Sequence, residues 1–182
     1  ENTIANSGGV IGLTSSDSST SGVFGIIHFG NSTDSSLASI NGNADGATDA
    51  GALIFKTEAT GSAIEERMRI TSDGKVGIGS TAPGTLLELA AAAESTKVTI
   101  ATYSDSQTHT PSLFLEKSHS DTLGTNTATA DDEYLGEIRF AGFSSDNTIV
   151  YSSIIRAVQD GSPSTTTIGT DLEFYTQANG SA

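Results

Sequence analysis

The sequence predicts an all-β protein built from two repeated modules. Short runs of alternating apolar and polar residues recur along the chain, as in β-strands with one buried face. Glycine, serine, threonine, asparagine and aspartate dominate the spaces between these runs, and a similar series of runs returns in the second half. Aromatic residues make up 6% of the chain and tryptophan is absent. Burial of so little apolar surface offsets only part of the conformational entropy that the chain loses on folding. This favours a thin β structure that completes its hydrophobic core by packing against other chains.

The charge of the chain restricts its partners. Asp and Glu number 22 while Lys and Arg number 8, giving a formal net charge of -14. Nucleic-acid phosphates and anionic lipids repel such a surface, so no nucleic-acid partner is expected. No apolar run reaches membrane-spanning length and no signal-peptide pattern opens the chain, so no membrane insertion is expected. Cysteine is absent, which excludes disulfides.

Three stretches in the first half have strand character. They are residues 10–13, residues 25–29 and residues 51–57. The third alternates strictly, and side chains two positions apart along a strand share a face. One face of this strand is therefore expected to carry Leu53, Phe55 and Thr57.

A β-hairpin is predicted from Arg67 to Ile78. Two alternating runs in this stretch are joined by Asp73-Gly74, a pair that favours tight turns. The alternation places both arginines on one face and the apolar residues on the other. The expected buried side consists of Met68, Ile70, Val76 and Ile78. Because a two-stranded hairpin is marginal in water, it needs packing partners.

The segment that joins the two halves leaves two structures open. The alanines at positions 90–93 favour an α-helix, yet a helix this short is marginal by itself. Residues 86–94 are therefore interpreted as a linker, with a helical turn or two as the alternative. The first module is placed at residues 1–90 and the second at residues 91–182.

The second half repeats the strand series of the first. The apolar positions keep their faces, so that Ile27 and Phe29 correspond to Ile138 and Phe140. The offset grows from strand to strand, which places the extra residues in loops, where insertions are tolerated. The matched stretches are 11–16 with 113–118, 25–29 with 136–140, 38–42 with 153–157, and 51–57 with 170–176.

The repeat also predicts the sequence that follows residue 182. Residues 180–182 match residues 61–63, which directly precede the hairpin strand in the first module. We expect the native polypeptide to continue with an Arg-rich strand, a glycine turn and a second strand within about fifteen residues. The chain begins with Glu1 instead of methionine, so a longer polypeptide is expected at this end as well.

The glycines and carboxylates of the hairpin resemble catalytic motifs only superficially. Gly77 and Gly79 could belong to a dinucleotide-binding loop, but that loop opens a helix, and here Pro83 follows without an amphipathic helix. Glu65 and Glu66 are adjacent in a strand, so they point to opposite faces and form no local pair for glycoside chemistry. Cross-strand or inter-chain ion pairs at the surface are the favoured interpretation.

The remaining candidate groups also lack the spacing that chemistry requires. His28, His109 and His119 do not form a two-histidine metal motif, and Asp45-Gly46 and residues 131–133 do not form a calcium loop. No serine lies in a nucleophile elbow. We therefore predict no catalytic, cofactor-binding or metal-binding residue, no cofactor and no enzyme activity.

The stretch EERMRITSDGKVGIGSTAPGTLLEL resembles the recurring module of bacteriophage tail-fibre and related virion-appendage proteins. The segments LGEIRFAG and DLEFYT are similar to other blocks of that family. The resemblance implies a homotrimeric, elongated, strand-rich fibre, with a host-recognition tip or a self-cleaving chaperone domain outside this segment. Ser80 stands where the family usually has threonine, and the alanines at 90–93 replace a more polar start of the next module.

The resemblance implies a structural and adhesive fibre segment on the surface of a virus particle. Such a segment would contact other virion proteins and support host attachment, with host glycans bound by regions outside it. In a trimer, one histidine facing the axis would recur three times and could bind a metal, although a solvated or hydrogen-bonded histidine is the favoured interpretation.

Two other functions stay open at this point. A monomeric carbohydrate-binding β-sandwich would need an aromatic platform, whereas the tyrosines at positions 103, 134, 151 and 175 are scattered. A glycan-depolymerising tail fibre would need a cleft with two opposed carboxylates.

Overall fold

The computed structural model describes residues 12–16 and 19–177. Across these residues the chain is all-β: nine strands form two sheets and no helix occurs, which confirms the predicted fold class. It follows that the described part contains no helix able to span a membrane. The chain divides into two units, Glu1–Val98 and Thr99–Ala182. Their boundary lies eight residues beyond the predicted module boundary at residue 90.

The first unit contains a six-stranded sheet whose spatial order follows the chain. The first five strands pair antiparallel and the sixth adds to the edge in parallel. Residues 12–13, within the predicted strand at 10–13, lie outside the sheet, and residues 10–11 lie outside the described residues. The strands are β1 (Val23–Phe29), β2 (Ala38–Ala44), β3 (Gly51–Thr57), β4 (Glu65–Ile70), β5 (Val76–Ile78) and β6 (Leu87–Leu89).

The predicted hairpin is present as β4 and β5. Met68 pairs with Ile78 and Ile70 pairs with Val76, so the apolar residues share one face as expected. The turn is closed by two hydrogen bonds: the Thr71 N–H donates to the Lys75 carbonyl at 2.9 Å, and the Thr71 hydroxyl accepts the Lys75 N–H at 3.0 Å.

The helical alternative for residues 86–94 is wrong. Leu87–Leu89 forms β6, and the flanking backbone bonds to β5: the Val76 N–H donates to the Leu86 carbonyl at 2.8 Å, and the Ala90 N–H donates to the Ile78 carbonyl at 3.0 Å. Pairing with an open sheet edge satisfies more backbone groups here than a short helix would, so tertiary context overrides alanine propensity. Residues 90–93 form no regular element.

The second unit contains a three-stranded antiparallel sheet. Its strands are β7 (Tyr134–Phe143), β8 (Ile149–Asp160) and β9 (Gly169–Thr176). The predicted strand at residues 113–118 is wrong, because this stretch is extended chain outside the sheet. The match of residues 180–182 lies outside the described residues.

The two sheets share one register across their first three strands. Ile27 pairs with Ile40 and Ile40 with Phe55 in the first sheet. Ile138 pairs with Ile155 and Ile155 with Phe174 in the second. These pairs join the same positions that the sequence comparison matched.

A chain segment outside each sheet packs on an equivalent glycine. A methyl group at Gly25 would lie 2.5 Å from the Cβ of Leu13, and one at Gly136 would lie 2.9 Å from the Cβ of Leu115. Real Cβ atoms essentially never approach so closely, so both positions require glycine. Leu13 and Leu115 correspond in the sequence comparison as well.

The buried side of the first sheet is the face opposite to the predicted one. Ala52 and Ile54 are 5% and 4% exposed, and Ser39 and Asn41 beside them are also buried. On the predicted side, Ile78 is 42% exposed, and the remaining three hairpin residues are only half-buried. The prediction for Ile78 is therefore wrong for the single chain, because alternation defines two faces without saying which one other segments cover.

Candidate functional site

A broad apolar surface extends over all six strands of the first sheet. Its residues occupy alternate positions that are paired from strand to strand. Several are well exposed, including Phe29 at 52% and Leu87 at 58%. We call this surface the first apolar face; it consists of Ile27, Phe29, Ile40, Leu53, Phe55, Met68, Ile70, Val76, Ile78, Leu87 and Leu89.

A corresponding surface occupies one side of the second sheet. Four of its five side chains are exposed, and Phe174 reaches 71%. Soluble monomers seldom expose contiguous apolar surface on this scale, and large patches usually mark interaction sites. We call it the second apolar face; it consists of Ile138, Phe140, Ile155, Leu172 and Phe174.

Each apolar face contains a shallow groove at the same place. The groove of the second face has a volume of about 180 Å³ and that of the first about 300 Å³. Matched residues line them: Leu13, Ile27, Ile40 and Leu53 in the first, and Leu115, Ile138, Ile155 and Leu172 in the second. Such walls accept apolar side chains and offer few groups to orient a polar ligand.

The opposite side of the second sheet is charged and internally paired. The Arg156 guanidinium donates to Glu137 Oε2 at 3.1 Å and lies 3.8 Å from the centre of the Tyr134 ring. Arg139 also bonds to Glu137, and this bond is the main reason why the pKa of Glu137 lies below its ordinary value. The Tyr175 hydroxyl donates to Glu173 at 2.7 Å, which raises the pKa of Tyr175.

The carboxylates of the hairpin bind the neighbouring arginines. Arg69 donates two hydrogen bonds to Glu66, at 2.6 and 2.8 Å, and Arg67 lies 3.1 Å from Glu65. Both glutamates thus form ion pairs within their own strand and not across strands, so the predicted cross-strand pairing is wrong for these residues. Nearby, Asp45 accepts the Ser72 N–H at 2.7 Å, and this bond lowers the pKa of Asp45.

Sequence reasoning missed a cluster around Glu133. Its carboxylate accepts hydrogen bonds from Lys117, from the Ala130 N–H at 2.7 Å and from His119 Nδ1 at 3.2 Å. Lys117 is the main cause that lowers the pKa of Glu133 to about 2. The partners lie in loops up to 16 residues away, and no local pattern brings such residues together.

A second missed feature is the buried amide of Gln159, which is 1% exposed. Its nitrogen donates to the Gly161 carbonyl at 2.8 Å and to the Thr129 carbonyl at 3.3 Å. Its oxygen accepts the Thr129 hydroxyl. These bonds attach the loop before β7 to the end of β8. Only burial distinguishes this glutamine from an ordinary strand residue, and burial is a tertiary property.

The other candidate residues lie apart from one another. His28 is in β1, His109 Nδ1 lies 2.8 Å from the Ser104 hydroxyl, and Gly77 is in β5 against the Ser80 carbonyl and Pro83. Residues 131–133 border β7, where the Asp131 carboxylate accepts the Gly161 N–H at 2.6 Å. In the described part of the chain, no group of three or more His, Cys, Asp or Glu residues is arranged to hold a metal ion.

Comparison with known proteins identifies a fold and no family. No family model and no curated protein matches the chain. Among solved structures, the carboxy-terminal domain of the bacteriophage T5 L-shaped tail fibre is similar, with a TM-score of 0.73 and 14% sequence identity. The similarity covers 98% of this chain and 82% of that one. The chain therefore has the all-β fold of a phage tail-fibre domain.

Proposed function

We propose that this chain is a structural and adhesive segment of a virion tail fibre, without enzyme activity. The observation that carries the proposal is the pair of exposed apolar faces on a tail-fibre fold. Faces of this size need a partner surface, whereas chemistry needs convergent polar groups. The segment would lie on the particle surface, contact other virion proteins and support host attachment, with host glycans bound by regions outside it.

The partner of the apolar faces is the same face on two further copies of the chain. Burial of apolar surface contributes roughly 25 cal/mol per Å², so burying several exposed Leu, Ile and Phe side chains in each chain favours association strongly. The residues of both faces are uncharged, while the charged side chains of Arg156, Glu137, Arg69 and Glu66 belong to the opposite sides. A homotrimer would therefore bring apolar surface together and leave carboxylates outside, in an elongated fibre.

The two units are copies of one module. Three matched strands share one register, both sheets place a leucine on an equivalent glycine, and both apolar faces contain equivalent grooves. Independent origin would not reproduce these three relations together. We place the modules at residues 1–90 and 91–182, with the structural units meeting slightly later.

The three tyrosines of the second sheet do not favour the carbohydrate-binding alternative, and the exposed Tyr103 lies outside both sheets. Tyr134 and Tyr175 both lie against the Arg156 guanidinium, at 3.8 and 5.3 Å from their ring centres, and Tyr151 lies against Arg139 at 4.9 Å. Their rings are thereby engaged by cations of the same sheet. A sugar platform needs ring faces that are open to a ligand.

Sedimentation equilibrium at micromolar concentration tests the trimer. One chain has a mass of 18.5 kDa, so we expect three times that mass, or 55.5 kDa. Phe174→Asp places a charge on the second apolar face and should shift the mass towards that of one chain. Tyr175→Asp is the matched control, because Tyr175 is the next residue on the opposite side of β9. A stable, compact wild-type monomer would contradict the proposal.

A further inference from the structure

The floor of each apolar groove is a small residue. Gly42 of β2 lines the groove of the first face, and the equivalent Ala157 of β8 lines that of the second. Nothing lies within 4 Å of a methyl group placed on Gly42, so the space above this floor is open. An apolar cavity of about 150 Å³ can bind benzene. With volumes of about 300 and 180 Å³, both grooves have space for a phenyl ring.

An exposed phenylalanine lies towards the other end of the strands on each face. Phe29 of β1 and Phe140 of β7 are both 52% exposed. Each follows the glycine that borders its groove, Gly25 or Gly136, by four positions, or about 13 Å at roughly 3.3 Å per residue. Because one sheet holds both the groove and the ring, the ring cannot reach the groove of its own module.

This arrangement of groove and ring occurs twice in the chain. The first sheet has six strands and the second has three, yet each has a groove near one end of its strands and an exposed ring near the other. A projection on one copy that fits a depression on the next makes a heterologous contact, and such contacts close into rings. Three copies would supply one phenylalanine for every groove in each module.

We propose that the phenylalanine of each module inserts into the matching groove of a neighbouring copy. Phe29 occupies the first groove of that copy above Gly42, and Phe140 occupies its second groove above Ala157. The inference rests on the proposed homotrimer and specifies which contact holds it together. It also explains why the floor of each groove carries a small residue within an otherwise apolar face of large side chains.

Exchanging large and small residues tests the proposal. Phe29→Ala removes the ring, Gly42→Phe fills the groove, and the double variant does both. The dissociation constant is measured by sedimentation velocity over a dilution series. Each single variant should raise it at least about tenfold, because one leaves a void and the other blocks the groove. The double variant should return to within about threefold of the wild type, since its own ring then fills the emptied groove.

Thr176→Phe is the matched control for an added ring. Thr176 follows Phe174 by two positions in β9 and is not among the residues lining the groove. The dissociation constant of this variant should be unchanged or lower. Far-UV circular dichroism checks that each variant keeps its β structure. Gly42→Leu, with a smaller side chain in the same open space, repeats the test if Gly42→Phe loses that structure.

The outcomes separate this inference from the proposed function. If apolar contact in general drives association, Gly42→Phe should bind as tightly as the wild type or more tightly, and that result would overturn insertion of Phe29. Absence of rescue in the double variant would overturn it too. A wild-type monomer would instead contradict the homotrimer itself, which sedimentation of the unmodified chain reports independently.

Discussion

At the scale of single residues, the charged groups secure loops to the sheets. Glu133 lies directly before β7 and binds Lys117, His119 and the Ala130 N–H. The carboxylate must be ionised to accept these bonds strongly. Its pKa of about 2, against an ordinary value of 4.5, therefore records a stabilisation of the folded state that depends on pH.

The pKa of Glu133 predicts a pH-dependent effect of Glu133→Gln. Because the folded-state pKa is lowered, the stabilisation is fully present above about pH 4.5 and is lost as pH falls towards 2. The variant should have a lower melting temperature than the wild type at pH 7, and the difference should close as pH approaches 2. Thermal unfolding followed by circular dichroism across this range measures it.

A matched variant controls for the loss of one negative charge. Glu94→Gln removes a carboxylate from the exposed stretch that follows β6 and belongs to no strand. The melting difference between Glu94→Gln and wild type should be small at pH 7. A constant difference between Glu133→Gln and wild type from pH 7 to 2 would show that the Lys117 pair does not act through ionisation.

At the scale of elements, each sheet depends on a segment that belongs to no strand. The stretch carrying Leu115 crosses β7 at Gly136, and that carrying Leu13 crosses β1 at Gly25. These leucines line the grooves of the two apolar faces. The contact point is a Cβ atom close to the backbone, so it cannot move aside as a flexible side-chain end would.

The close approach predicts that Gly136→Ala is destabilising. The added methyl group would lie 2.9 Å from the Leu115 Cβ and would push the crossing segment away from the sheet. Overpacking of this kind costs about 1–3 kcal/mol in unfolding free energy. Gly142→Ala in the same strand is the control, because nothing lies within 4 Å of the new methyl group. Urea unfolding of both variants compares them, and equal stability would contradict the packing argument.

At the scale of the whole molecule, the negative net charge of each chain opposes the proposed association of three chains. Three chains carry three times -14, or a formal charge of -42. The residues of the apolar faces are uncharged, so repulsion between carboxylates should oppose assembly while apolar burial drives it.

Salt should therefore stabilise the assembly or leave it unchanged. Ions screen the repulsion between exposed carboxylates, and the Debye length falls from about 10 Å at 0.1 M to about 3 Å at 1 M salt. We expect the trimer fraction in sedimentation velocity to rise or stay constant from 0.05 to about 1 M sodium chloride. Dissociation at high salt would indicate that ion pairs between chains, instead of apolar faces, hold the assembly together.

Local sequence patterns were sufficient to predict many of the strands. Alternation around Asp73-Gly74 predicted the hairpin and the shared face of Met68 and Ile70, because the two-residue period follows from backbone geometry alone. The repeat failed to predict a strand correctly at residues 113–118, whose first three residues are apolar yet belong to no sheet. A strand exists only where a neighbouring strand bonds to it, and no local pattern reports the neighbour.

The sequence by itself determined the all-β class, the faces of the strands, the acidic surface and the correspondence between positions such as Ile27 and Ile138. These depend on composition and on backbone period. The tertiary structure decided which face is covered, where Leu87–Leu89 pairs, and that Gln159 and Glu133 secure their loops. Those outcomes depend on contacts between residues far apart in the chain, whose free energies are set by burial and by desolvation.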